Sequence, residues 1–142
     1  MLSLDTSIRL KKAGLEWKPS DHDFFFIPYQ ELDEHVYVIS EMTVVVERMG
    51  GKDAIMFNGA SEWALDYLVL TEAVWRPSES QLRECLEKKL VERSEEQPVL
   101  TLSTTHDGYA CEIRFAGENL RFEAFSADEA YGNALLHVLE NC

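Results

Sequence analysis

The stretch PVLTLSTTHDGYACEIRFAGENLRFEAFSADEAYGNALLHVLE, residues 98–140, decides how this chain is read. Val99 to Thr105 is rich in β-formers. After it, Tyr109, Cys111, Ile113 and Phe115 alternate with Glu112 and Arg114. Alternation with period two marks a strand in a sheet that has one wet face. Between the two segments stands His106-Asp107-Gly108. Asp-Gly is a strong hairpin signal, because both central residues of a type I′ turn need positive φ. With Asp107 and Gly108 as the loop, Leu102 faces Ile113 and Leu100 faces Phe115. All four then share a face with Tyr109 and Cys111.

Gly117 to Asn119 turns the chain again into Leu120, Phe122 and Ala124, with Arg121 and Glu123 on the opposite face. A Gly117-Glu118 loop would set Arg114 against Arg121 and Glu112 against Glu123. Like charges directly across a ladder are unfavourable, so a register shifted by two is expected, with one residue of each sign facing the other. Ser126-Ala127-Asp128-Glu129 then matches a capping box, in which the Ser hydroxyl accepts from the Glu129 N–H and the carboxylate reaches back to the Ser126 N–H. Ala127, Ala130, Tyr131, Ala134, Leu135 and Val138 follow on one helical face. Leu136 points elsewhere, toward a second contact. Three antiparallel strands roofed by a helix are expected, with Ile113, Phe115, Phe122 and Leu135 sequestered together.

Working outward, Ser3 or Asp5 can cap a helix to about Ala13, stopped by Gly14, with Leu4, Ile8 and Leu15 as its thin apolar stripe. Asp23 to Pro28, His35 to Ser40, Met42 to Met49 and Ala54 to Phe57 are expected as the strands of a β-meander, with Gly50-Gly51 as one turn. Ser61 can cap a helix in which Trp63, Tyr67, Leu70 and Val74 share a face, ending before Trp75 because Pro77 follows. Ser78 and Gln81 form a second capping box, opening a helix to about Arg93. Its buried stripe would be Leu82, Cys85, Leu86 and Leu90, with Glu84–Lys88 and Lys88–Glu92 as solvent-side pairs. The expected fold class is α+β in a single domain, residues 1–142, divisible at 77/78. It comprises an N-terminal β-meander, two middle helices, and three antiparallel strands covered by a C-terminal helix.

Composition bounds the function. A 46% hydrophobic and 11% aromatic chain of 142 residues can bury a sizeable core. No apolar run approaches the ~20 residues of a membrane span. Arg9, Lys11 and Lys12 occupy the place where a signal peptide would be apolar, so a cytoplasmic location is expected. The net charge of −13 is spread evenly: 13 acids and 7 bases in residues 1–77, 13 acids and 6 bases in 78–142. With no basic cluster to neutralise phosphates, direct nucleic-acid binding is not expected, and the expected partner is another protein. Cys85 and Cys111 fall on apolar faces and Cys142 ends the chain, a pattern that supports neither a disulfide framework nor a zinc site. No cofactor is expected, and Gly50-Gly51-Lys52 lacks the spacing of a phosphate loop.

Four constellations carry candidate chemistry. Trp17-Lys18-Pro19-Ser20-Asp21 and Trp75-Arg76-Pro77-Ser78-Glu79 repeat one pattern, either as a duplicated recognition element or as two loops anchored by Trp, broken by Pro and capped by Ser. Asp21, Asp23, Glu31, Asp33 and Glu34 put five acids and no base in 14 residues, beside Phe24–Phe26 and Tyr29. That window is either a solvated loop or a patch for a cationic partner. Asp21, His22, Asp23 and His35 have metal-ligand character, the basis of an alternative reading as a small metal-dependent hydrolase. On a strand, however, Asp21 and Asp23 share a face that His22 does not. Finally, His106-Asp107 stands near Cys111, but a nucleophilic arrangement fails if Cys111 points into the core. The expected function is therefore non-enzymatic macromolecular binding through Asp21, Asp23, Glu31, Asp33, Glu34, Trp17 and Trp75.

Two resemblances add to this reading. Phe57 to Asp66 and Val74 to Arg83 resemble a family of short uncharacterised proteins from Gram-positive bacteria and their phages, a likeness extending over most of the chain. Tyr109 to Leu139 is similar to the strand-strand-helix unit of HicB-type antitoxins, ending in the Ser126-x-x-Glu129-Ala130 helix start. An antitoxin- or immunity-type role would fit the size and acidity of the chain. Neither resemblance transfers a functional residue.

Overall fold

The computed structural model describes residues 1–28, 37–38, 44–49, 52–57, 67–69 and 73–141. Among them the fold is α+β, with three helices and three antiparallel three-stranded sheets. The chain divides into two compact units, Met1–Leu15 with Pro77–Cys142, and Glu16–Arg76. The first unit thus takes its opening helix from the far end of the sequence.

In the first unit, α1 (Leu4–Lys12) is capped by Ser3, whose hydroxyl accepts from the Thr6 N–H. Its other end is a Schellman motif: Gly14 at φ +101 donates to the Lys11 carbonyl, and Leu15 donates to that of Leu10. The buried side is Leu2, Thr6, Ser7 and Leu10, whereas the expected stripe of Leu4, Ile8 and Leu15 is only half-buried. Polar Thr6 and Ser7 can be buried because each finds a partner, Glu129 for Thr6 and the Ser3 carbonyl for Ser7. Helix α2 (Glu79–Arg93) opens with the complete capping box of Ser78 and Gln81 and buries Leu82, Leu86 and Leu90, with Cys85 half-buried. Its ion pairs are Arg83–Glu87 and Lys89–Glu92, not those centred on Lys88.

Three strands follow: β7 (Val99–Thr105), β8 (Gly108–Phe115) and β9 (Glu118–Ala124), in that spatial order. The first register differs from expectation by two residues: Leu100 pairs with Ile113 and Leu102 with Cys111. The loop is His106-Asp107, neither at positive φ, and Gly108 belongs to the ladder. A Cβ on Gly108 would stand 2.3 Å from the Ala124 carbonyl oxygen. The glycine is therefore required by the close approach of β9. The second hairpin follows the charge argument, since Glu112 pairs with Arg121 and Arg114 with Asn119. Its loop is Ala116-Gly117, both at positive φ (51° and 80°) as a type I′ turn demands.

Helix α3 (Ala127–Glu140) packs on β8, β9, α1 and α2. Ala130, Tyr131, Ala134, Leu135 and Val138 are buried as expected, with Ile113; Phe115 and Phe122 pack against them half-buried. Ala127 is only half-buried. Leu136 has its second contact within the same core. Each fully buried Leu of this cluster contributes about 2 kcal/mol of burial free energy. Gly132 lets α1 approach, because a Cβ there would meet the Leu2 side chain at 2.9 Å. The expected capping box is half made. Ser126 accepts from the Glu129 N–H at 3.2 Å, but the carboxylate turns to α1 and accepts from the Ser3 N–H at 2.6 Å and the Thr6 hydroxyl at 2.8 Å. Glu129 thus takes part in the first turns of two helices, by its backbone N–H in α3 and by its carboxylate at α1. At the other end, Arg93 donates to the Val138 carbonyl, one of the orphan acceptors of the last turn.

In the second unit, β1 (Phe24–Phe26) lies between β2 (Tyr37–Val38) and β6 (Val74–Arg76). A separate sheet holds β3 (Val44–Met49), β4 (Lys52–Phe57) and β5 (Tyr67–Val69). The expectation of one meander is corrected: the β1 sheet is closed by β6, from the end of the unit, rather than continued by β3. The helix expected from Ser61 is also overturned where it can be seen, because Tyr67–Val69 and Val74–Arg76 are strands. Their β-branched and aromatic residues pair with β4 and β1, and such pairing overrides a helical spacing of apolar positions. Residues 61–66 lie outside the described residues.

Candidate interaction surface

The repeated Trp elements meet. Phe25 pairs with Trp75 across β1 and β6, and Trp17 lies over that pair. Its ring is 5.7 Å from Phe25 and 6.3 Å from Trp75, with the two indoles within 7° of parallel. The Trp17 Nε1–H donates to Asp23 Oδ2 at 2.9 Å. That same oxygen accepts from the Ser20 N–H and hydroxyl, while the Asp23 N–H returns to the Ser20 carbonyl. This closes a turn with His22 at φ 73, the third position where a type II turn needs positive φ. The Trp75 Nε1–H is buried and has no acceptor among the described residues.

Of the acidic window, Asp23 is only 4% exposed and its Oδ2 is engaged by three donors of its own chain, so it does not belong to an exposed patch. Asp21 and His22 are exposed. Glu31, Asp33, Glu34 and His35 lie outside the described residues. Among the described residues no three His, Cys, Asp or Glu side chains are grouped to hold a metal ion, and no helix is long and apolar enough to cross a membrane. Cys111 sits on the covered side of the sheet, and burial, helped by Glu112, pushes its thiol up to about 11. His106 is at an exposed hairpin tip, away from that thiol's side of the sheet. Cys142 lies outside the described residues.

Among the described residues of the first unit, Phe125 is the most exposed large apolar side chain. It directly follows β9 and precedes the Ser126 cap, and it is 90% exposed. Beside it is an open trough of about 430 Å³ lined by Thr105, His106, Asp107, Glu123, Ala124 and Phe125. On the helix-free face the central strand carries Gly108 and Ala110, opposite Thr105 and Ser103 on β7; Ala110 is fully covered, and the trough lies at the hairpin end of the sheet rather than along this line. Arg121 bridges Glu123 at 2.9 Å and Glu112 at 2.5 Å on the same face. Sequence reasoning passed over Phe125, yet parity could have found it: Leu120, Phe122 and Ala124 face the core, so Phe125 falls with Arg121 and Glu123 on the wet side.

Comparison with protein-family models, with curated proteins and with solved structures found no match to the chain.

Proposed function

We propose that the protein is a non-enzymatic binding module that engages another protein through the Phe125 trough. One observation carries this reading: a large aromatic side chain stands 90% exposed between a paired strand and a capped helix. Large aromatic side chains are among the residues that dominate protein interfaces, since they offer large contact area. The acidic surface, net charge −13, favours encounter with a basic partner.

The test is affinity capture from the host lysate with wild type, Phe125→Ser, and a variant carrying Asp21→Asn, Glu31→Gln, Asp33→Asn and Glu34→Gln. Phe125→Ser should lose the captured protein while retaining the wild-type melting temperature, because the ring contributes little to the core. Retention of the partner by Phe125→Ser rejects the trough. Loss only in the acidic variant moves the interface to the window around Asp21.

A further inference from the structure

We infer that the partner brings an arginine side chain to the Phe125 trough, presented by a basic segment of a second protein. This deepens the binding role proposed above and rests on it. Three parts of the trough match that side chain. The base is Thr105 and Ala124, small side chains that leave room beside Phe125 for a long unbranched stem. Such a stem can lie along apolar surface while its charged head stays in water. One wall is the Phe125 ring, whose face attracts a cation and stacks best with a planar guanidinium.

The rim supplies charge. Asp107 is exposed at the hairpin tip and makes no ion pair among the described residues. Glu123 shares Arg121 with Glu112, so that trio carries one net negative charge on the helix-free face. His106 also lines the trough. Lysine fits less well, because its ammonium is compact, strongly hydrated and unable to stack. A second copy of this chain brings the same acidic excess and is repelled.

The experiment titrates ¹⁵N-labelled protein with hexa-arginine, hexa-lysine and hexa-glutamate peptides at low salt. Amide shifts should concentrate at residues 105–110 and 123–125, be strongest for arginine and be absent for glutamate. Affinity for hexa-arginine should fall roughly five-fold in Phe125→Ser and in Asp107→Asn. Shifts spread evenly over the acidic surface, equal for arginine and lysine, or unchanged in Phe125→Ser overturn the inference.

With the captured partner, the double reversal Asp107→Lys, Glu123→Lys should abolish binding. If that reversal leaves capture intact while Phe125→Ser removes it, the binding role stands and the arginine inference falls. If wild type sediments as a dimer and Phe125→Ser as a monomer, the occupant is a second copy and the inference falls as well.

Discussion

The two hairpins of the C-terminal sheet make an instructive pair. The first has Asp-Gly, which favours a two-residue turn, yet its loop is His106-Asp107 with Gly108 in the ladder. The second has Ala-Gly, and there both residues take the positive φ of a type I′ turn. Long-range contact decided the first case, since only glycine allows the Ala124 carbonyl so close to position 108. Cross-strand charge matches the second, setting Arg121 beside Glu112 instead of Arg114. A slip of one residue would turn every side chain to the wrong face, but a slip of two leaves the faces intact. Burial therefore specifies which side faces the core, and contacts of another kind choose between registers that bury the same side.

The largest effect should come from Gly108→Ala. The added methyl meets backbone rather than a yielding side chain, and a loss of about 3 kcal/mol is expected in chemical unfolding. A near-neutral result would mean that the turn alone, and not β9, holds the first register. Next is Glu129, where another local signal was redirected by a distant element. Glu129→Ala should cost about 2 kcal/mol, through charged hydrogen bonds lost to Ser3 and Thr6.

Burial pushes the Glu129 carboxyl up, but those hydrogen bonds and the terminal amino group outweigh it, and the net shift is below the usual 4.5. A lowered folded-state value contributes stability above the unfolded value and loses it as pH falls through the folded one. The gap between wild type and Glu129→Gln should thus be full at pH 7 and shrink below pH 4.5. A gap independent of pH would break the assignment.

The turns themselves should respond with opposite signs. Ala116→Asn relieves a left-handed alanine and should stabilise by about 0.5 kcal/mol, while Asp107→Gly, at negative φ, should destabilise by about as much. Equal signs would show that the two loops are alike. The smallest effect is at Arg121→Glu, which sets like charges across the ladder. The melting temperature should drop slightly, less so in high salt, and recover when Glu112→Arg is added.

Much of the first unit was legible. Helix α2 has the expected ends because a capping box and the Leu82–Leu86–Leu90 stripe agree, and local agreement of that kind leaves little for tertiary structure to alter. The faces of β7, β8 and β9 were legible for the same reason. What escaped was set by partners far along the chain. Tyr67–Val69 and Val74–Arg76 have apolar spacing that suits a helix, and only their pairing with β4 and β1 makes them strands. The burial of Asp23 depends on Trp17 and Ser20 folding back over it, which the acidic character of its neighbourhood conceals. Phe125 was available from parity, but an aromatic after a strand invites burial by default.

The stacked indoles also divide the chain optically. Trp17, Trp63 and Trp75 all fall within Glu16–Arg76, whereas Met1–Leu15 with Pro77–Cys142 has tyrosines but no tryptophan. Indole emission, and the circular-dichroism couplet expected of two nearly parallel rings, therefore report on one unit, while helical ellipticity, from α1, α2 and α3, weighs toward the other. Melting followed at these wavelengths would tell in one cuvette, without labels, whether the halves come apart together or in turn.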